Sequence, residues 1–283
     1  MPFQPRVALL TPGADYGEHW HPALARKTGA LTAAGLAVET RAWTDPGDLA
    51  GFDLVLPLLA WGYPRAAACW YALLDRLEAD ALNVVNPVAV LRWNSDKAYL
   101  SELGAKGVAV VPTIEVAALD DAALAAARAA FGTDEVVIKP AISAGSDGTH
   151  RLAAGAGVPA DALDQRRLVQ PFMPGIVAAG EYSLFFFGGR YSHAIVKRPA
   201  AGDFRVQPQF GGREEPWDAS AAARDLAAAA LAAAPAPPAY ARVDMVAGTH
   251  GLAIMELELI EPQLFLHMAP DGGAAFARTV YPS

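Results

Sequence analysis

The chain has 283 residues, 53% of them hydrophobic and 18% charged, enough to bury a substantial core and long enough for two or three subdomains around a shared cleft. A formal net charge of −8 argues against a general nucleic-acid or polybasic membrane surface, yet it allows a local lysine cluster that takes an anionic ligand. The single cysteine, Cys69, excludes an intrachain disulfide and a cysteine-based zinc site; with no signal-peptide pattern and no bilayer-length apolar run, a cytoplasmic protein is expected.

The opening run Arg6 to Thr11 is apolar and ends in Pro12-Gly13, which suits a buried strand entering a ligand-facing loop. A helix from about Pro22 stops at Gly35, Leu36 to Trp43 reads as a second strand, and Phe52 to Leu59 as a third. A helix from about Arg65 to Ala79 follows, and within it Cys69 is expected as a small buried hydrophobe. Strands alternating with helices imply a parallel sheet, so residues 1–92 are expected to form a small doubly wound α/β domain.

Beyond Asn86-Pro87 the pattern shifts. A helix is expected to carry Asp96-Lys97, followed by the strand Pro112 to Val116, an alanine-rich helix over 122–130, and the strand Glu135 to Pro140. From Leu168 the strands read as antiparallel: Leu168 to Phe172, then Glu181 to Phe187 and Tyr191 to Lys197 joined at Gly188-Gly189. A second alanine-rich helix over 221–234 and the breaker Pro235 to Pro238 complete an α+β half, divided at about residue 172 into 93–172 and 173–283.

Three acidic residues, Asp244, Glu256 and Glu258, stand in aliphatic strand-like runs where a charge needs compensation. Glu256 and Glu258, two apart, share a strand face, and a hard divalent cation would relieve their repulsion. Lys139 ends an apolar strand and needs an anionic partner, and the loop after it carries Gly145 and Gly148, which let backbone N–H groups approach an anion. Neither a Walker A sequence nor G-x-G-x-x-G occurs.

Taken in order, these motifs resemble the ATP-grasp ligases over residues 90 to 262. Asn94-Ser-Asp-Lys97 is similar to the segment with the family's first nucleotide lysine, and Ile138-Lys-Pro140 to the second, followed by the mobile glycine-rich loop with Gly145, Ser146 and Gly148. Val169 to Met173 resembles the hinge beside adenine, implying contacts from Gln170 and from the backbone near Phe172 and Met173. Glu181 falls at the ribose-binding carboxylate, Arg205 in Phe204 to Gly212 at the arginine on the reacting phosphate, and Asp244, Glu256 and Glu258 at the metal set. The last position departs from the Asn of many members.

The resemblance implies an ATP-grasp fold and a ligase that uses ATP and one or two Mg²⁺, with Mn²⁺ as an alternative. A small amino-acid-like carboxylate would be phosphorylated to an acyl phosphate and attacked by an amine, with release of ADP and phosphate. Lys97, Lys139 and Arg205 would stabilise charge on the transferring group. Lys197 either lines the phosphate site or marks its strand's solvent end. Ring closure of the D-cycloserine type, phosphoryl transfer and non-catalytic ATP binding stay open, as does a homodimer; small carboxylate and amine substrates are the expected partners, without nucleic acid or membrane.

Among the remaining residues, Arg242 would share the face of Asp244 and orient it, whereas Glu261 would lie on the opposite face of a continuing strand. His19 and His21 read as exposed polar groups. Tyr16, Trp61 and Tyr63 follow the ends of predicted parallel strands, where open α/β sheets bind ligands, and His267 follows the acidic strand.

Overall fold

The computed structural model describes residues 4–281 except 18, 201, 204 and 207–210. At the N-terminus, β1 (Arg6–Thr11) pairs in parallel with β2 (Ala37–Ala42) and β3 (Leu54–Leu56), in the order β2-β1-β3. Helix α1 (His21–Ala33) links the first two strands and α2 (Ala67–Ala79) follows the third. The expected strand over 52–59 is cut to three residues, because Pro57 has no N–H to give a ladder. Cys69 corrects the expectation of burial: α2 turns Trp70, Leu73, Leu74 and Leu77 inward and leaves the thiol exposed.

The expected helix through Asp96-Lys97 is two helices, α3 (Val88–Ser95) and α4 (Tyr99–Ala105), with Asp96 extended between them. The Asp96 carboxylate accepts from the Ala98 N–H at 2.9 Å and pairs with Arg166 at 2.5 Å, which favours a break over a continuous helix. Lys97 therefore sits at a junction, free to point away from either helix.

Two antiparallel sheets form the rest. The first runs β4 (Ile114–Val116), β7 (Arg167–Pro171), β5 (Val136–Pro140), β6 (His150–Leu152), covered by α5 (Asp121–Phe131), whose N-cap Asp120 accepts from Ala123 N–H. The short helix α6 (Gly175–Ala178) then leads into the second sheet. That sheet runs β10 (Arg213–Pro216), β9 (Arg190–Arg198), β8 (Glu181–Phe187), β11 (Tyr240–Gly248), β12 (Gly251–Glu258).

Its two faces have different duties. One face, with Leu184, Phe186, Val243 and Leu257, packs on α3, α4 and α7 (Ala221–Ala232). The other carries Phe185, Phe187, Ile195 and Tyr240 against the N-terminal layer and α8 (Ala274–Val280). Further along these same strands, on that second face, apolar side chains give way to Glu181, Ser183, Lys197, Arg242 and Asp244. The outer edge of β12 is sealed by side chains: Asn94 bonds Leu257 C=O and Leu259 N–H, both at 2.8 Å, and Tyr99 bonds both polar groups of Leu257. Among the described residues no helix is long and apolar enough to cross a membrane.

Candidate active site

The charged end of the five-stranded sheet floors a cavity of about 910 Å³. The four-stranded sheet and its 143–149 loop wall one side, and α1 with the segment around Trp61 walls another. Every proposed site residue lines it except Gly148. Gly148 instead packs on Pro140: a Cβ there would lie 3.0 Å from the proline ring, and its φ of +64° favours glycine. Of the segment 204–212, Phe204 and 207–210 lie outside the described residues; Arg205 lines the cavity and pairs with Asp203 at 2.8 Å.

Strand register explains why the charged groups converge. Glu181 faces Lys197 across β8 and β9, Ser183 faces Asp244 across β8 and β11, and Asp244 and Arg242 face Glu256 and Glu258 across β11 and β12. Directly opposed residues share a face, so these seven positions become one polar surface. Lys197 Nζ meets Glu181 at 2.5 Å and Asp244 at 3.7 Å; Ser183 Oγ donates to Asp244 at 2.5 Å. Lys197 is thus buried within the site and does not mark a solvent end.

Arg242 forks onto both oxygens of Asp244, at 2.8 to 3.1 Å, and also contacts Glu258. Burial pushes the Asp244 carboxyl up, but Arg242 and Lys197 outweigh it and hold the group down at about 2. Glu258 gets the smaller share of the guanidinium, and burial beside Asp244 and Glu256 pushes it up to about 8. Glu256 is held below the usual carboxylate range: burial opposes ionisation, and Lys97, at 2.5 Å, together with Lys139 prevails.

Lys97 also donates to the Ser143 carbonyl at 2.7 Å, so one ammonium ties the acidic strand to the glycine loop. Lys139 is buried and faces the cavity with no carboxylate in ion-pair range among the described residues; burial pushes its pKa down to about 8. In the loop, Gly145 and Ser146 both take left-handed backbone, with φ of +63° and +64°, and both line the cavity. Gln170, Phe172 and Met173 line it at the end of β7. The Gln170 side chain donates to Thr113 Oγ1 at 2.8 Å.

The donor chemistry of Asp244, Glu256 and Glu258 suits a hard divalent cation, since all three are carboxylates on adjacent strands. Here protein cations meet their charge, and among the described residues no three His, Cys, Asp or Glu side chains cluster as ligands.

Several expectations change at the substrate side. Tyr63 is core, buried against Trp70 with ring centroids 5.2 Å apart, because the turn beginning at Gly62 rotates it inward. Tyr16, Trp61 and His267 do line the cavity, and so does exposed His19, stacked on Trp61 at 5.9 Å; His21 does not. Glu261 lines it too: β12 ends at Glu258, so the strand alternation that would send Glu261 to the opposite face no longer applies. Sequence reasoning missed Lys27 altogether, although the spacing Ala23, Lys27, Leu31 sets it in the buried stripe of α1.

Residues 7–86 match the family described as D-cycloserine synthetase DcsG, N-terminal domain. The chain is 33% identical over 271 residues to the cycloserine biosynthesis protein DcsG of Streptomyces lavendulae, covering 89% of this chain and 90% of that protein. The crystal structure of D-cycloserine synthetase DcsG superposes with a TM-score of 0.86 at 30% identity, over 97% of this chain and 98% of that one. D-alanine–D-alanine ligase from Bacillus anthracis, complexed with ATP, gives a TM-score of 0.69 over 98% of this chain and 96% of that one; at 15% identity the likeness is one of fold.

Proposed function

The chain belongs to the ATP-grasp ligase family, and we propose that it is an ADP-forming carboxylate–amine ligase acting through an acyl phosphate on a small amino-acid-like substrate. The observation that carries this reading is Lys139. A buried ammonium without a carboxylate partner, facing a cavity beside Lys97 and a left-handed loop, suits the phosphates of a nucleotide. The division proposed at about residues 92 and 172 sets ATP between the second and third parts.

In this reading Gln170 and the backbone at Phe172 and Met173 hold adenine, and Glu181 holds ribose once it shares Lys197 with the ligand. Lys97 and Lys139 hold phosphate oxygens, with N–H groups near Gly145 and Ser146. Gly148 shapes the loop from behind. Arg205 and Lys197 neutralise charge that develops on the transferred group. Asp244, Glu256 and Glu258 hold Mg²⁺, which when bound supplies Lewis-acid neutralisation of the phosphates. Glu258 stands where many family members have asparagine, and Arg242 meets part of its charge.

Arg242 keeps Asp244 ionised and aimed along the sheet.

A second reading, ring closure within one substrate, is favoured by the similarity to DcsG along nearly the whole chain. Release of ADP from Mg·ATP, followed with single acids and with acid–amine pairs and by mass spectrometry of products, decides between them. ADP with one compound and a product lighter by one water supports ring closure. ADP only with a pair supports coupling, and a stable phosphorylated product overturns both.

A further inference from the structure

Four lysines line the cavity. Lys97 is paired with Glu256 and Lys197 with Glu181. Lys139 and Lys27 have no carboxylate in ion-pair range among the described residues, and the role proposed above for the nucleotide phosphates uses Lys139 and leaves Lys27 unassigned.

Lys27 sits in the middle of α1 and is only 2% exposed. Its ammonium donates to the Leu58 carbonyl at 3.2 Å and stands 5.8 Å from the centre of the Trp61 ring. One carbonyl and one aromatic face do not satisfy an ammonium with three donors. A buried charge left in that state is costly, and the cost is recovered when an anion arrives from the cavity. Burial pushes the lysine down to about 7, while Glu261 and Glu258 pull the other way. Trp61 is itself fixed by its Nε1–H, which donates to the Glu261 carbonyl at 3.0 Å.

We infer that Lys27 is a specificity-determining residue that receives a carboxylate of the substrate in the part of the cavity walled by α1 and Trp61. This rests on the ligase reading above. Glu261 lines the same cavity and offers its carboxyl to a substrate ammonium; burial pushes that carboxyl up to about 7, and an arriving ammonium favours its ionised form. A molecule with both charges a few bonds apart, an α-amino acid, answers the two residues together.

The test is binding to the full-length chain, measured by thermal-shift titration with α-amino acids of both hands, each beside its primary amide. Titrations are run without nucleotide and again with Mg²⁺ and a non-hydrolysable ATP analogue. At least one acid is expected to bind the wild type more tightly than its amide. Lys27→Met is expected to weaken that acid by about tenfold to a hundredfold, the span of a charge-assisted hydrogen bond, and to leave the amide unchanged. Lys27→Arg keeps part of the preference, and a stabilising shift with the nucleotide analogue reports that each variant is folded. An unchanged acid preference in Lys27→Met overturns the inference, as does the absence of any acid preference in the wild type. Failure of the ligase reading appears separately, as a wild type that the nucleotide analogue does not stabilise.

Discussion

Glu181 on β8 and Lys197 on β9 are direct cross-strand partners whose charged ends meet at 2.5 Å, with both side chains only 7% exposed. Neither charge can be removed without stranding the other. Lys197→Met is expected to destabilise the protein by about 3–5 kcal/mol, whereas Glu181→Gln together with Lys197→Met recovers at least half of that loss. Urea denaturation of the two single variants and the double variant gives the coupling; strictly additive losses would show that the pair is not a unit.

Lys27 and Lys139 predict a pH signature. Burial holds them at about 7 and about 8, below the ordinary 10.5. Between those values and pH 10.5 the unfolded chain binds more protons than the folded one, so stability from these groups rises with pH in that window. Replacing either by Met removes a buried charge that is fully felt near pH 6 to 7. The stability of each variant relative to wild type is therefore greatest there and fades toward pH 10. Melting temperatures across that range check it, and a difference that stays flat or grows would contradict the assignment.

Glu256→Gln keeps the shape of the side chain but removes the charge that meets Lys97. Turnover dependent on Mg²⁺ is expected to fall at least a hundredfold, with the folded far-UV spectrum retained. Full activity in this variant would move the metal site elsewhere.

Gly62 has φ of +90°, and a Cβ there would lie 2.7 Å from the Tyr16 ring. Gly62→Ala is expected to cost about 1–3 kcal/mol and to raise the substrate KM more than it lowers kcat, because Tyr16 must leave the cavity wall. An unchanged KM would separate Tyr16 from substrate binding.

Asn94→Ala removes two of the side-chain bonds on the edge of β12, at Leu257 and Leu259, while the Leu257 carbonyl keeps the Tyr99 hydroxyl at 3.1 Å. A loss of about 1–3 kcal/mol is expected, chiefly from the buried Leu259 N–H left unsatisfied. Hydrogen exchange at Leu259 should accelerate first; protection that persists would mean another group has taken the edge.

The parts legible in the sequence were those set by local pattern. The expected strand Glu181 to Phe187 coincides with β8, and the acidic strands declared themselves through charge in aliphatic runs. What remained hidden depends on partners far along the chain. Cys69 is exposed because it lies on the flank of the face that α2 buries, and Asp96 breaks a helix through Arg166, seventy residues later. Lys27 read as one more helical lysine; only its place between Ala23 and Leu31 hinted that the sheet would cover it. Glu261 was misplaced because periodicity says nothing about where a strand ends.

The division of the five-stranded sheet into a charged end and an apolar end on one face also bears on how the chain avoids misfolding. A one-residue slip of β8 would turn Ser183 and Glu181 toward the aliphatic layer of α3, α4 and α7, and would expose Leu184 and Phe186 to the polar cavity. Both faces would be penalised at once, so the groups that serve the reaction also lock the register of the strands that hold them.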